Sequence, residues 1–285
     1  MKISTTISSA AEILKEAGVA ESRREASSLL AFVSQKDAAF LIAHSGDELD
    51  ADQTMLFEAC IHRRANHEPF QYIVGRQEFY GLEFEVTPDV LIPRPETEIL
   101  VESAIQILFD LNGPRFCEVG VGSGCISISI LHAVKSATAV ATDISEAALA
   151  VAAINAGKNR VDTRLELKQA NIFDGICGPF DMIVSNPPYV PADQLASLQA
   201  EVRDYEPRAA LDGGKDGLVL IERIIQESPA LLKPGGHLLL EIGFDQARKV
   251  EELFDRAVWE TPPEFLPDLQ GIPRIVKVKK SNFSL

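Results

Sequence analysis

The sequence predicts an α/β protein in which helices cover both faces of a mostly parallel sheet, preceded by a small helical domain. From residue 114 onward, short apolar runs alternate with amphipathic segments. Such alternation is typical of crossover units that join parallel strands. The first 73 residues instead carry apolar residues at three- and four-residue spacing, which is typical of helices.

Composition limits the partners and the compartment. Hydrophobic residues make up 46% of the 285 residues, and no apolar run approaches the roughly 20 residues that span a bilayer. The N-terminus lacks the features of a signal peptide, and the four scattered cysteines show no metal-ligand spacing. A net charge of −15 disfavours the basic surface that duplex nucleic acid requires. We expect a cytoplasmic monomer with no membrane partner, no direct nucleic-acid partner and no metal ion.

The N-terminal domain is predicted to span residues 1–73. Its helices are expected over residues 7–17, 21–33, 37–43 and 52–65. It carries no catalytic motif, so we expect it to recognise a substrate or partner, and a purely structural cap is the alternative. Alternating residues around Gly81 predict a β-hairpin, and we interpret residues 74–92 as a hairpin linker to a catalytic domain over residues 93–285.

The C-terminal domain begins with a helix predicted from about Pro95 to Phe109. Further helices are expected from residue 124 and over residues 145–156, 193–202, 218–232 and 246–258. Strands are expected over residues 114–119, 137–142, 164–170, from 180, 237–242 and 274–279. Ligands of such sheets bind outside the carboxyl ends of the strands, so the site is expected at that edge.

A glycine-rich turn follows the first of these strands. In Glu118-Val-Gly120-Val-Gly122-Ser-Gly124, the glycines permit positive φ and close approach of a ligand, while the helix start offers free N–H groups. Asp143 lies about 20 residues farther on, at the end of the second strand, where a carboxylate can accept both hydroxyls of a ribose. The combination predicts a nucleoside-containing cofactor.

The spacing around these glycines favours one cofactor. It is G-x-G-x-G rather than the G-x-G-x-x-G of dinucleotide binders, and Glu118 is placed to pair with an ammonium group. S-adenosylmethionine has an ammonium group and nicotinamide dinucleotides do not. We predict S-adenosyl-L-methionine, with a nicotinamide-dependent dehydrogenase as an alternative.

A second motif follows the strand that begins at Phe180. The strand stops at Asn186-Pro187-Pro188-Tyr189, since proline can neither continue a ladder nor donate to one. The asparagine side chain, the stiff backbone carbonyls and the tyrosine ring together suit a planar –NH2 group, either an exocyclic base amine or a carboxamide. A simple Pro-Pro turn with a buried tyrosine is the structural alternative.

Taken together, these motifs resemble the PrmC/HemK family, the glutamine methyltransferases that modify the Gly-Gly-Gln motif of peptide chain release factors. The resemblance covers nearly the whole chain and includes residues 92–98, 118–124, 185–189, 205–214, 232–236 and 268–274. Asn-Pro-Pro-Tyr also occurs in adenine-amine methyltransferases, whereas the Arg-Pro-Glu and Glu-Pro-Arg blocks are more specific to the glutamine enzymes.

The resemblance implies a class I methyltransferase-like, doubly wound sheet and methylation of the glutamine amide nitrogen (N5) with S-adenosyl-L-methionine. It implies cofactor contacts by Gly120, Val121, Gly122, Ser123 and Gly124 at the methionine end, Asp143 at the ribose, Asn171 and Ile172 at the adenine, and Asn186. It also implies that Asn186 and Pro187 hold the substrate amide, with Pro188 beside them and Tyr189 packed on it. Glu118 and Asn171 stand where the family commonly has aspartate.

The residue types agree with amide methylation. A carboxamide nitrogen is a poor nucleophile, so the site must align it with the methyl group and accept hydrogen bonds from its –NH2. Neither a metal ion nor a histidine base is required. An adenine-amine methyltransferase acting on DNA or RNA, and a non-catalytic adaptor that retains the fold, are the remaining alternatives.

Overall fold

The structure, a computed structural model, describes residues 2–282. The chain divides into two compact units. The first comprises the residues up to Arg76 together with residues 199–205, and the second comprises Gln77–Leu198 and the chain from Glu206 onward. Within residues 2–282, no helix is long and apolar enough to cross a membrane.

The helices and strands are numbered in chain order. The helices are α1 Ile3–Glu16, α2 Ser22–Ser34, α3 Ala38–Ala43, α4 Ala51–Ala65, α5 Phe70–Val74, α6 Thr97–Leu108, α7 Cys125–Ala133, α8 Glu146–Lys158, α9 Ala200–Tyr205, α10 Val219–Glu227 and α11 Ala247–Glu251. The strands are β1 Arg76–Phe79, β2 Leu82–Glu85, β3 Arg115–Val119, β4 Thr138–Asp143, β5 Leu165–Gln169, β6 Phe180–Ser185, β7 Leu232–Glu241, β8 Trp259–Pro267 and β9 Pro273–Lys280.

The first unit is a helical bundle with its own core. Leu14, Leu29, Leu30 and Phe57 are fully buried there, because α1, α2 and α4 each turn one apolar stripe inward. Helix α1 begins at Ile3, four residues before the predicted start. The bundle also includes the short helix α5, for which the sequence predicted no helix.

Buried Arg64 explains why α9 belongs to the first unit. Its guanidinium forms ion pairs with Glu25 of α2 and, at 2.6 Å, with Glu201 of α9. The prediction of one helix over residues 193–202 is wrong, since the chain forms a 3₁₀ turn at Leu195–Ser197 and then α9. The sequence also placed residues 199–205 in the C-terminal domain, whereas their contacts group them with the N-terminal helices.

Strands β1 and β2 form the predicted hairpin around Gly81. Tyr80 and Gly81 both have positive φ, 51° and 73°, as the tight turns that favour the twist of hairpins require. All but the first residue of this hairpin belongs to the second unit.

The second unit is built on a sheet with strand order β5-β4-β3-β6-β7-β9-β8. Strands β5, β4, β3, β6 and β7 are parallel, and β9 and β8 add antiparallel pairings at one side. Alternate residues of β6 point to two separate cores: Met182 and Val184 pack with α6, α7 and α8, and Ile183 packs with α10. The predicted fold class, a mostly parallel sheet covered on both faces, is confirmed.

The C-terminal elements differ from the prediction. The helix expected over residues 246–258 ends at Glu251, and strand β8 was not predicted because Pro262, Pro263 and Pro267 disfavour a strand. An edge strand tolerates proline, and β8 is the edge. The helix expected to reach residue 232 ends at Glu227 before Pro229, and β7 begins at Leu232 rather than at residue 237.

Asn155 joins three parts of the second unit. It is fully buried on α8, and its Nδ2 donates to the carbonyls of Glu85 and Ser123, both at 2.9 Å, while its Oδ1 accepts the Glu85 N–H at 2.7 Å. One amide side chain therefore fixes the hairpin and the glycine-rich turn to the same helix.

Replacing Asn155 with Ala should lower the free energy of unfolding by about 2–4 kcal/mol, because buried backbone groups lose their partners. Denaturant unfolding measures the loss. Ile154→Ala is the matched control, since Ile154 is the neighbouring, 45% exposed residue of the same helix and its truncation should cost about 0.5 kcal/mol or less. Equal losses in the two variants would contradict this account of Asn155.

Candidate active site

A cavity of about 430 Å³ lies at the carboxyl ends of β3, β4 and β6. Its lining includes most of the predicted site residues: Gly120, Val121, Gly122, Ser123, Asp143, Asn171, Ile172, Asn186, Pro187 and Pro188. It also includes residues that sequence reasoning did not select, among them Arg94 and Thr97. The cavity therefore gathers the ends of three strands and the start of α6.

The glycine-rich turn forms one wall of the cavity. The N–H groups of Gly120 and Val121 both donate to the Thr142 carbonyl, at 2.8 and 2.9 Å, so the turn is fixed to the end of β4. Gly124 has φ +83°, and a Cβ there would lie 2.7 Å from Ile128 Cδ1. Gly124 is absent from the cavity lining. A glycine is favoured at this position because the backbone has positive φ where it turns into α7 and because Ile128 packs closely against it.

Asp143 stands at the end of β4 beside this turn. Its Oδ2 accepts the N–H of Gly122 at 3.0 Å and its Oδ1 accepts the N–H of Ser145 at 2.9 Å. A carboxylate has about four acceptor positions, so two remain for hydroxyl groups of a ligand. The two backbone bonds hold the carboxylate in one orientation.

Glu118 is a buried carboxylate in the cavity wall. Its Oε2 accepts the N–H of Ser127 at 3.0 Å, while Oε1 is a buried oxygen without a hydrogen-bond partner in the described part of the chain. Burial raises the pKa of the Glu118 carboxyl from 4.5 to about 8, and the nearby charge of Asp143 acts in the same direction. Such an orphaned oxygen fits a cationic ligand group, which would restore the charge.

Ile172 has an unusual backbone for a β-branched residue. Its φ is +59°, and its carbonyl accepts the Thr142 hydroxyl at 3.0 Å. The left-handed conformation re-aims the chain after β5, so that Ile172 and the exposed Asn171 both reach the cavity. Asn171 Oδ1 also accepts a 3.4 Å hydrogen bond from Arg223. Strained residues of this kind cluster at ligand sites.

The Asn-Pro-Pro-Tyr segment follows β6 and is tied to a buried glutamate. Asn186 Nδ2 donates to Thr97 Oγ1 at 3.2 Å, Thr97 Oγ1 donates to Glu241 Oε2 at 2.6 Å, and the Tyr189 hydroxyl donates to Glu241 Oε1 at 3.3 Å. Tyr189 is absent from the cavity lining, so the structure does not bring its ring to the wall where the sequence expected it to pack on the substrate. Burial raises the pKa of its hydroxyl.

Close packing holds the Tyr189 backbone from the other side. A Cβ on Gly217, which has φ +77°, would lie 2.2 Å from the Tyr189 carbonyl oxygen. The same carbonyl accepts a 3.0 Å hydrogen bond from Gln246 Nε2, which also donates to the Gly217 carbonyl at 3.1 Å. The segment is therefore fixed at both its side chains and its backbone.

Arg94, which lines the cavity, forms an ion pair with Glu206. Glu206 is almost fully buried and also accepts the Ile92 N–H at 3.4 Å. The pair joins the Arg-Pro-Glu and Glu-Pro-Arg blocks, which are 112 residues apart in sequence. Their unusual charge and proline content was the available sequence signal, although no local pattern reveals that they pair.

The strand order and the cavity at the carboxyl ends of the strands define a protein of the doubly wound α/β class, with a ligand site in the place usual for that class. A family model described as Methyltransferase small domain matches residues 97–202, and one described as PrmC N-terminal domain matches residues 5–75. A solved methyltransferase from Pyrococcus furiosus has the same fold, with a TM-score of 0.54 at 20% identity over 72% of this chain and 91% of that one.

Two relatives extend this likeness over the whole chain. The release factor glutamine methyltransferase of Cereibacter sphaeroides is 42% identical over 98% of this chain and 99% of its own. That of Koribacter versatilis is 39% identical over 98% and 99%. The chain belongs to the family of release factor glutamine methyltransferases, as the motifs predicted.

Replacing Gly217 with Ala should force the Tyr189 backbone out of place. The control is Gly113→Ala, because Gly113 also has positive φ, +60°, but has open space where the Cβ would lie. Both variants lose about 1–2 kcal/mol to the left-handed backbone, and only Gly217→Ala loses about 1–3 kcal/mol more to overlap. Denaturant unfolding of the two variants compares the losses, and equal losses would contradict the close packing described here.

Proposed function

We propose that this protein transfers a methyl group from S-adenosyl-L-methionine to the side-chain amide nitrogen of the glutamine in the Gly-Gly-Gln motif of a peptide chain release factor. The observation that carries the proposal is the Asn186 side chain, whose nitrogen is engaged by Thr97 and whose oxygen is left to accept from a substrate –NH2. This acceptor lines the same cavity as the glycine-rich turn and Asp143. The release-factor substrate of the relatives supports the choice of amide.

The residues of the cavity fit the cofactor. The free Glu118 Oε1 would pair with its ammonium group, and the turn from Gly120 to Ser123 would line its methionine end. Asp143 would accept the ribose hydroxyls, with Asn171 and Ile172 beside the adenine. When bound, the cofactor supplies an electrophilic methyl group on a sulfonium.

The chain's own residues would then orient the amide. Asn186 Oδ1 and the Pro187 carbonyl accept from the substrate –NH2, and Pro188 limits its movement. These acceptors stabilise the positive charge that develops on nitrogen as the methyl group arrives. Tyr189 would act through its bond to Glu241, which fixes the segment, rather than by stacking on the amide. The proton leaves the nitrogen after transfer.

We further propose that the helical unit recognises the release factor. Its helices bear exposed apolar side chains, including Ile42, which is 77% exposed, and Met55. Deleting residues 1–73 is a poor test of this idea, because the deletion would also remove Arg64, the partner of Glu201. Substituting Ile42 and Met55 with Ser leaves that ion pair intact and tests recognition alone.

Mass spectrometry of a purified release factor tests the activity directly. Incubation with the protein and S-adenosylmethionine should add one methyl group to the glutamine, while an adenine-containing oligonucleotide in a parallel reaction should gain none. Asn186→Ala should lower the single-turnover rate by about 100-fold or more, the usual scale for removing one preorganised polar contact. Asn159→Ala, at the half-buried residue that follows the last residue of α8, serves as the control and should keep the parent rate. Methylation of the oligonucleotide alone would overturn the proposed substrate.

The raised pKa of Glu118 predicts how cofactor affinity varies with pH. The free protein keeps this carboxyl protonated up to about pH 8, and the cofactor's ammonium group favours the ionised form, so binding releases a proton. Affinity should therefore rise with pH, by up to about tenfold per unit, until the cofactor's own amino group deprotonates near pH 8.

Calorimetric titration across that range measures the effect. Glu118→Gln should bind more weakly and should lose the rise, because its side chain does not titrate. A parent protein whose affinity is independent of pH and equal to that of Glu118→Gln would contradict the proposed contact.

A further inference from the structure

We propose that Glu241 is a positioning residue whose carboxylate, through Thr97 and Tyr189, fixes which end of the Asn186 amide faces the substrate. Its role in the reaction rests on the proposed function, while its effect on Asn186 does not. Glu241 ends β7, is 2% exposed, and is absent from the cavity lining. It therefore acts on Asn186 from behind the cavity wall.

The single proton of the Thr97 hydroxyl fixes the direction of its hydrogen bonds with Glu241 and Asn186. The Thr97 hydroxyl has one proton, which it donates to the Glu241 carboxylate at 2.6 Å. Its oxygen is then left to accept, and the 3.2 Å neighbour must be the Asn186 –NH2. Asn186 Oδ1 consequently faces the cavity, which is the polarity that a substrate –NH2 requires.

Protonation of Glu241 removes this constraint. A neutral carboxyl has a proton of its own to donate to Thr97 Oγ1, which frees the threonine proton to point at Asn186. The amide is then stable with its oxygen toward Thr97 and its –NH2 toward the cavity, where it opposes the substrate –NH2. Ionised Glu241 thus selects the productive orientation.

The surroundings of Glu241 place its ionisation in the physiological range. Groups on several elements face it: Glu96 at the start of α6, Cys125 on α7, Tyr189 after β6, and Arg274 on β9. The pKa of the Glu241 carboxyl is raised from 4.5 to about 7, chiefly by burial and also by the charge of Glu96, while the hydroxyl donors and Arg274 oppose the rise. Moderate changes of pH therefore alter the balance between the two orientations.

Single-turnover methyl transfer at saturating cofactor and release factor tests the effect on the reaction. The parent rate should rise with pH, with an inflection near pH 7. Glu241→Gln accepts from only one of the two hydroxyls, so its rate should fall by about 10- to 100-fold and lose this inflection. Glu251→Gln, an exposed substitution at the end of α11, is the control and should keep the parent profile.

Substitutions at Thr97 separate the relay from general destabilisation. Thr97→Val removes the hydroxyl with little change of shape, whereas Thr97→Ser retains it, so the serine variant should transfer at least about ten times faster than the valine variant. Cofactor affinity measured by calorimetry should differ little between the two. Equal rates in the two variants, or a parent-like pH profile in Glu241→Gln, would overturn the role of Glu241 in the reaction.

Nuclear magnetic resonance of the protein alone gives a readout that needs no release factor. The side-chain amide signals of Asn186, assigned by their loss in Asn186→Ala, should shift as Glu241 titrates, and this shift should be absent in Glu241→Gln and Thr97→Val. Signals that are insensitive to pH and to both substitutions would overturn the coupling. A release factor left unmethylated by the parent would overturn the proposed function separately, without changing what these signals decide.

Discussion

The burial of two carboxylates near the carboxyl ends of interior strands of the sheet is the constraint on which the site depends. Glu118 is the penultimate residue of β3 and Glu241 ends β7, on either side of β6, and both are almost completely removed from water. Burying a carboxylate is unfavourable unless donors or a cation compensate for lost hydration. The two glutamates meet this need in different ways.

Glu241 is compensated from within the protein, by the hydroxyls of Thr97 and Tyr189. It therefore organises side chains that are already present. Within residues 2–282, Glu118 accepts the Ser127 N–H at Oε2, and its Oε1 is left without a hydrogen-bond partner. The charge on this unpaired oxygen would be compensated by a cationic group of a bound ligand. On one side of β6 a glutamate thus fixes the Asn-Pro-Pro-Tyr segment, and on the other side a glutamate leaves an oxygen that a cationic ligand group could pair with.

Most of the site could be predicted from local sequence patterns, because the glycine-rich turn, Asp143 and Asn-Pro-Pro-Tyr each lie within a few residues of a strand end. The sheet class followed from the alternation of strands and helices. What could not be predicted were pairings between distant residues, such as Thr97 with Glu241, which are 144 residues apart. Neither residue stands out locally, since a threonine at a helix start and a glutamate after an apolar run are common.

Tertiary contacts also overrode local signals elsewhere. The ion pair of Glu201 with Arg64 groups α9 with the N-terminal helices, and no periodicity in residues 199–205 indicates this. The ring of Tyr189 suggested a surface on which the substrate amide could pack. In the structure its hydroxyl donates to Glu241, and Tyr189 is not part of the cavity lining. Strand β8 was missed because its prolines signal a loop unless its place at the edge is known.

That proline-rich edge has a consequence for the protein's behaviour at high concentration. An exposed strand with a regular row of N–H groups is a template for aggregation. Pro262, Pro263 and Pro267 supply no such group, and the irregular register between Glu260 and Glu264 interrupts the ladder. The opposite edge, β5, carries Glu166 and Lys168 among its side chains. Both borders of the sheet are therefore poorly suited to recruiting a further strand from a neighbouring molecule.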